Sequence, residues 1–141
     1  MKILLAADGS EYTRKAARHL AKHLSWFSTP PEVVVLYVHP LLPYPGAAAA
    51  AGRKAVEKYE REESEKCLKV ARKELDKAGV AYAAKWVCGD VATEVRRYVK
   101  KNGVDMVVLG SHGHGAFLNL ALGSTAAKLI ATLTVPVLVV R

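Results

Sequence analysis

Short apolar runs of strand length alternate along this chain with longer segments in which apolar residues recur every three or four positions. The runs predict strands at Lys2 to Ala7, Glu32 to His39, Ala81 to Cys88, Asp105 to Leu109 and Val135 to Val140. Val33-Val34-Val35-Leu36 and Met106-Val107-Val108-Leu109 are apolar at every position rather than at every second one, which predicts strands covered on both faces, as in parallel sheets. The first helical segment starts at about Ser10, a suitable N-cap, and carries an apolar stripe through Ala16, Ala17, Leu20, Ala21 and Leu24. Ser28-Thr29-Pro30-Pro31 ends it. A long charged helix is predicted from about Arg53 to Ala78, buried along Leu68, Ala71, Leu75 and Ala78, with Gly79 as its stop. A third helix begins at Asp90 or Thr93 and ends near Asn102-Gly103, and a fourth covers about Thr125 to Ala131. Five strands therefore alternate with four helices, the pattern of a three-layer α/β domain built on an open parallel sheet with right-handed crossovers.

The length of 141 residues suits a single domain spanning 1–141, and no internal repeat or linker divides it. Pro40 to Gly52, with its prolines and the alanines from Ala47 to Ala51, reads either as a connector or as a flap near a ligand site. No stretch approaches the roughly 18 apolar residues of a membrane span, and the apolar start is too short for an export signal. The expectation is a soluble cytoplasmic protein. Cys67 and Cys88 form no C-x-x-C pair and read as reduced, mostly buried thiols.

The net charge of +8 invites a nucleic-acid reading, which the distribution of charge weakens. Basic residues lie on three helices, and those between Arg53 and Arg61 are interleaved with Glu57, Glu60, Glu62, Glu63 and Glu65 at ion-pair spacing. No basic strand interleaved with base-stacking aromatics is present.

Open parallel sheets hold ligands beyond the carboxyl ends of their strands, where the strand order reverses. Two such ends carry unusual residues. The first strand leads into Asp8-Gly9-Ser10, and the fourth into Gly110-Ser111-His112-Gly113-His114-Gly115, with Gly123-Ser124-Thr125 opening the last helix. Glycines let successive backbone N–H groups line one concavity, and a helix N-terminus favours an anion, so this second stretch suits phosphate. A P-loop would require a Lys directly after its last Gly, yet Ser124 follows Gly123. The dinucleotide fingerprint belongs to the first strand-helix turn, which rules it out as well. Phosphates would be held mainly by backbone amides, which does not favour rapid transfer of a γ-phosphate.

The spacing Gly110-x2-Gly113-x9-Gly123-Ser124 resembles the ATP-binding motif of the universal stress proteins. The resemblance runs the length of the chain, through Ile3 to Ser10, Leu36-Tyr37-Val38-His39 and Val135-Pro136-Val137-Leu138-Val139-Val140. It implies the strand order 3-2-1-4-5, which sets the Asp8 and Gly110 loops side by side. It also implies roles: Asp8 on the ribose, the Val38 backbone at the adenine edge, and Ala6, Ala7 and Leu109 against base and sugar. Gly113, Gly123, Ser124 and Thr125 would hold phosphates, bridged by Mg or Mn, with Gly110 and His112 completing the binding set. His112 stands where the family often has arginine, and Ala126 replaces a frequent hydroxyl residue. A homodimer through Val135 to Val140 is implied too. The reading is an ATP-dependent stress-response sensor that signals to a protein partner, at most a slow ATPase, with no catalytic residue assigned. The alternatives are an adenylyl-transferring or other nucleotide-hydrolysing enzyme, and a basic nucleic-acid-binding accessory protein. A metal site at His112 and His114 lacks a matching Cys/His set, so no metal site from protein alone is expected.

Overall fold

The computed structural model describes residues 1–41, 52–114 and 122–141. Its elements are β1 (Lys2–Ala7), α1 (Glu11–His23), a 3-10 turn (Leu24–Trp26), β2 (Glu32–His39), α2 (Arg53–Lys77), β3 (Tyr82–Cys88), α3 (Val91–Asn102), β4 (Met106–Gly110), α4 (Ser124–Thr132) and β5 (Val137–Val140). The strands form one parallel sheet in the order β3-β2-β1-β4-β5, the expected order. The alanine run and Gly115 lie outside the described residues.

Burial on both faces explains the unbroken apolar runs. Ile3, Leu4 and Leu5 of β1 are fully buried although neighbours point in opposite directions. Ile3 and Leu5 face Ala16, Ala17 and Leu20 of α1 and Leu68, Ala71 and Leu75 of α2. Leu4 faces the other layer, where Ala92, Val95 and Val99 of α3 join Ala126 and Leu129 of α4. By contrast, β3 is an edge strand whose Ala83 and Lys85 are exposed.

Helix ends follow local chemistry. The Ser10 hydroxyl caps α1 by accepting from Thr13 N at 3.3 Å, and Asp90 Oδ1 caps α3 by accepting from Thr93 N at 3.0 Å. At the end of α2, Val80 N donates to Leu75 O and Gly79 N to Asp76 O, the paired bonds of a Schellman stop. The final strand starts at Val137 rather than Val135. Pro136 has no N–H and gives only its carbonyl, to Val107 N at 3.0 Å, so regular pairing begins after it. Cys67 and Cys88 are free and half-buried.

Candidate functional site

The sheet order reverses between β1 and β4, and their carboxyl ends flank a cavity of about 520 Å³. All the residues singled out from the sequence line it: Ala6, Ala7, Asp8, Val38, Leu109, Gly110, His112, Gly113, Gly123, Ser124 and Thr125. One end is an apolar slot between the sheet and the helices α3 and α4, closed by Leu36, Val38, Leu109, Val91, Val95 and Leu129. The other end is polar and is made by the turns after β1 and β4 and the start of α4.

Asp8 is fixed by the chain that follows it. Its Oδ1 accepts from Ser10 N at 2.9 Å and from the Thr13 hydroxyl at 2.7 Å, while Asp8 N donates to Thr13 Oγ1 at 2.9 Å. The carboxylate thus organises the entry to α1 with one oxygen. Its other oxygen is directed at Gly113, where an added Cβ would come within 2.6 Å of Oδ2. His114 ties the same two turns together, its Nε2 donating to the Asp8 carbonyl at 2.8 Å.

The glycines of the motif separate by what lies opposite them. At Gly110 a Cβ would meet Tyr12 Cβ at 2.5 Å and its backbone carbon at 2.8 Å, so this glycine admits α1 over the end of β4. At Gly123 a Cβ would meet His112 Cα and Ser111 O, both at 3.2 Å, and Gly123 N donates to Ser111 O at 2.8 Å. Gly113 therefore lets its turn approach Asp8, and Gly123 lets the start of α4 approach Ser111 and His112.

The N-terminus of α4 has no side-chain cap and no acidic residue in its first turn, unlike α1 and α3. Ser124 and Thr125, both exposed, bring unpaired N–H groups and two hydroxyls to the cavity. Among the described residues no Lys or Arg lines it. An anion there would meet backbone N–H groups, hydroxyls and the imidazoles of His112 and His114.

Among the described residues, the one hydroxyl-imidazole contact at these turns is not built as an activated nucleophile. Ser111 Oγ lies 3.0 Å from His112 Nδ1, but Ser111 is fully buried and does not line the cavity. Its backbone N–H donates to Val140 O at 2.8 Å, so the residue anchors the loop to β5. The His112 ring packs against Tyr12 at 5.1 Å between centroids. Beneath the Asp8 turn, burial pushes the Cys67 thiol and the Tyr37 phenol up, so neither is ionised near neutral pH.

Sequence reasoning missed Thr13, Leu36, Val91, Val95 and Leu129 as lining residues. Val91 and Val95, four apart on one helix face, carried a readable signal. Thr13, five residues after Asp8, carried none.

The universal stress protein family model matches residues 1–141. The chain belongs to the universal stress protein family. The universal stress protein YxiE of Bacillus subtilis is 32% identical to it, with 99% of this chain and 98% of the relative covered. Among solved structures, MJ0577 of Methanocaldococcus jannaschii superposes with a TM-score of 0.80 at 27% identity, covering 99% of this chain and 94% of that one. A universal stress protein from Archaeoglobus fulgidus, solved in complex with dAMP, has a TM-score of 0.68 at 18% identity, covering 100% and 98%.

Proposed function

We propose that this universal stress protein binds an adenine nucleotide, ATP foremost, and acts as a nucleotide-responsive regulatory module that hydrolyses ATP slowly at most. The observation that carries the reading is one continuous cleft: an apolar slot leads past Asp8 to a glycine loop and an uncapped helix N-terminus. The dAMP held by the Archaeoglobus fulgidus relative supports the choice of adenine. In this reading the Val38 backbone meets the adenine edge, and Ala6, Ala7 and Leu109 contact base and sugar. Asp8 Oδ2 accepts from the ribose. Gly113, Gly123, Ser124 and Thr125 bind phosphates, whose charge a divalent Mg or Mn ion would share. With no lysine or arginine among the described lining residues to follow charge onto a leaving phosphate, binding outruns chemistry. The nucleotide state then biases a conformation that a protein partner reads.

The test is direct. Freshly purified protein is denatured and the released nucleotide identified by chromatography, and the stripped protein is titrated calorimetrically with ATP and with AMP, with and without magnesium. Near one nucleotide per chain is expected, with ATP tighter when magnesium is present. Gly113→Val places a side chain on Asp8 Oδ2 and across the cavity mouth, and should weaken binding at least about tenfold, or 1.4 kcal/mol. No bound nucleotide and no binding heat at any magnesium level would reject the reading.

A further inference from the structure

The opposite face of the sheet holds a second set of chemistry-bearing residues. His39 and Cys88 end β2 and β3 as register partners, so their side chains emerge side by side on the face covered by α2. Glu60 lies on α2, on that same face. One donor atom from each of His39, Glu60 and Cys88 lies within 4.8 Å of the other two.

The surroundings suit a metal rather than a chance meeting of polar groups. His39 is 4% exposed, and its Nδ1 donates to the Pro40 carbonyl at 2.7 Å. That bond fixes the ring tautomer and leaves Nε2 as a lone-pair donor, the usual support of a metal-bound imidazole. The rings of Tyr37 and Tyr59 stand edge-on to His39, at 6.1 and 6.0 Å between centroids. Imidazole, thiolate and carboxylate together make a borderline-soft set that favours zinc over magnesium or calcium. Zinc lies about 2.0–2.3 Å from such donors, which sets tetrahedral ligands roughly 3.3–3.7 Å apart. Donors no more than 4.8 Å apart have to close by at most about 1–1.5 Å, within reach of the χ rotations of a glutamate on a helix surface.

We propose that His39, Glu60 and Cys88 bind one zinc ion, with water in the fourth position. The ion would fasten α2 to the edge of the sheet. Because Val38 and His39 are consecutive, it would sit back to back with the proposed adenine slot, across the sheet. Zinc binding here does not depend on nucleotide binding, since none of the three residues lines the cleft.

Cobalt(II) is the probe. Chelator-stripped, phosphine-reduced protein titrated with cobalt should saturate at one equivalent. It should show thiolate-to-cobalt charge transfer in the near ultraviolet and the intense visible bands of a four-coordinate ion, both bleached by zinc. Cys88→Ser should lose the charge-transfer band, and Glu60→Gln should keep it with affinity reduced at least about tenfold, whereas Cys67→Ser should behave as wild type. A readout without mutation guards against a folding defect: one equivalent of zinc should protect Cys88, and not Cys67, from alkylation mapped by mass spectrometry. Absence of the charge-transfer band at one equivalent, its dependence on Cys67, or equal alkylation of Cys88 with and without zinc would each overturn the site.

Discussion

A methyl group added to Gly9 would meet Cys67 Cα at 2.8 Å, at a backbone φ of +79° that L side chains rarely adopt. The residue lets α2 press on the turn that aims Asp8 into the cleft. Gly9→Ala should therefore destabilise the fold by about 1–3 kcal/mol, read as a lower midpoint in urea unfolding. An unchanged midpoint would show that the turn yields freely. Asp8 itself can be divided by substitution. Asp8→Ala removes both the α1-entry bonds and the cleft oxygen, and should cost about 1–3 kcal/mol of nucleotide affinity. Asp8→Asn retains an acceptor for Ser10 N and Thr13 Oγ1, so its stability should stay near wild type while affinity falls. The motif made these positions legible because each lies on a loop at a strand end, where sequence spacing reports the turn itself. Gly110 shows the limit of that reading. Spacing grouped it with the phosphate glycines, but the atom opposite it is Tyr12 Cβ, and no spacing within the loop reports what α1 brings across the sheet.

The elements were legible wherever burial is two-sided, because β1, β2 and β4 then read as continuous apolar runs bounded by caps and breakers. Their order in the sheet was not contained in periodicity, which reports faces and not neighbours, and came from the family motif. The charged faces of the helices resolve as interleaving suggested: Arg53 pairs with Glu57 and Lys58 with Glu62. Other pairs join two elements, among them Lys2 of β1 with Glu32 of β2 at 3.4 Å. Arg18 of α1 reaches Glu74 of α2 at 3.1 Å, and Glu74 is buried. The Arg18 guanidinium, through its hydrogen bond and its charge, holds the Glu74 carboxyl below the usual carboxylate range. A depressed folded pKa contributes stability that is present above the unfolded value of about 4.3 and is lost as pH falls through the folded value. The stability gap between wild type and Glu74→Gln should accordingly be largest near neutral pH and shrink on acidification below pH ~4, measured by urea unfolding across that range. A gap that does not change with pH would mean the pair does not couple α1 to α2.

At the scale of the molecule, the two edges of the sheet differ. On β3, Ala83 and Lys85 face solvent, and a lysine on an edge discourages pairing with another chain. On β5, Val137-Leu138-Val139-Val140 carries no charge, and each residue is only half-buried by its own chain. Such an edge favours a second copy, which supports a homodimer through Val135 to Val140. The backbone says which groups would make it. The carbonyls of Pro136 and Val140 accept from Val107 N and Ser111 N of the β4 side. Because successive residues alternate in direction, Val137 and Val139 turn their N–H and C=O groups outward. Val139→Pro removes one outward donor and none from the ladder to β4, as a proline on a sheet edge can. Light scattering should give twice the 15.3 kDa chain mass for the wild type at micromolar concentration, and close to the chain mass for Val139→Pro. Far-ultraviolet dichroism of the variant should match that of the wild type. A monomeric wild type, or a variant that stays dimeric with its fold intact, would move the contact away from β5, and the exposed Ile130 of α4 would become the next surface to substitute.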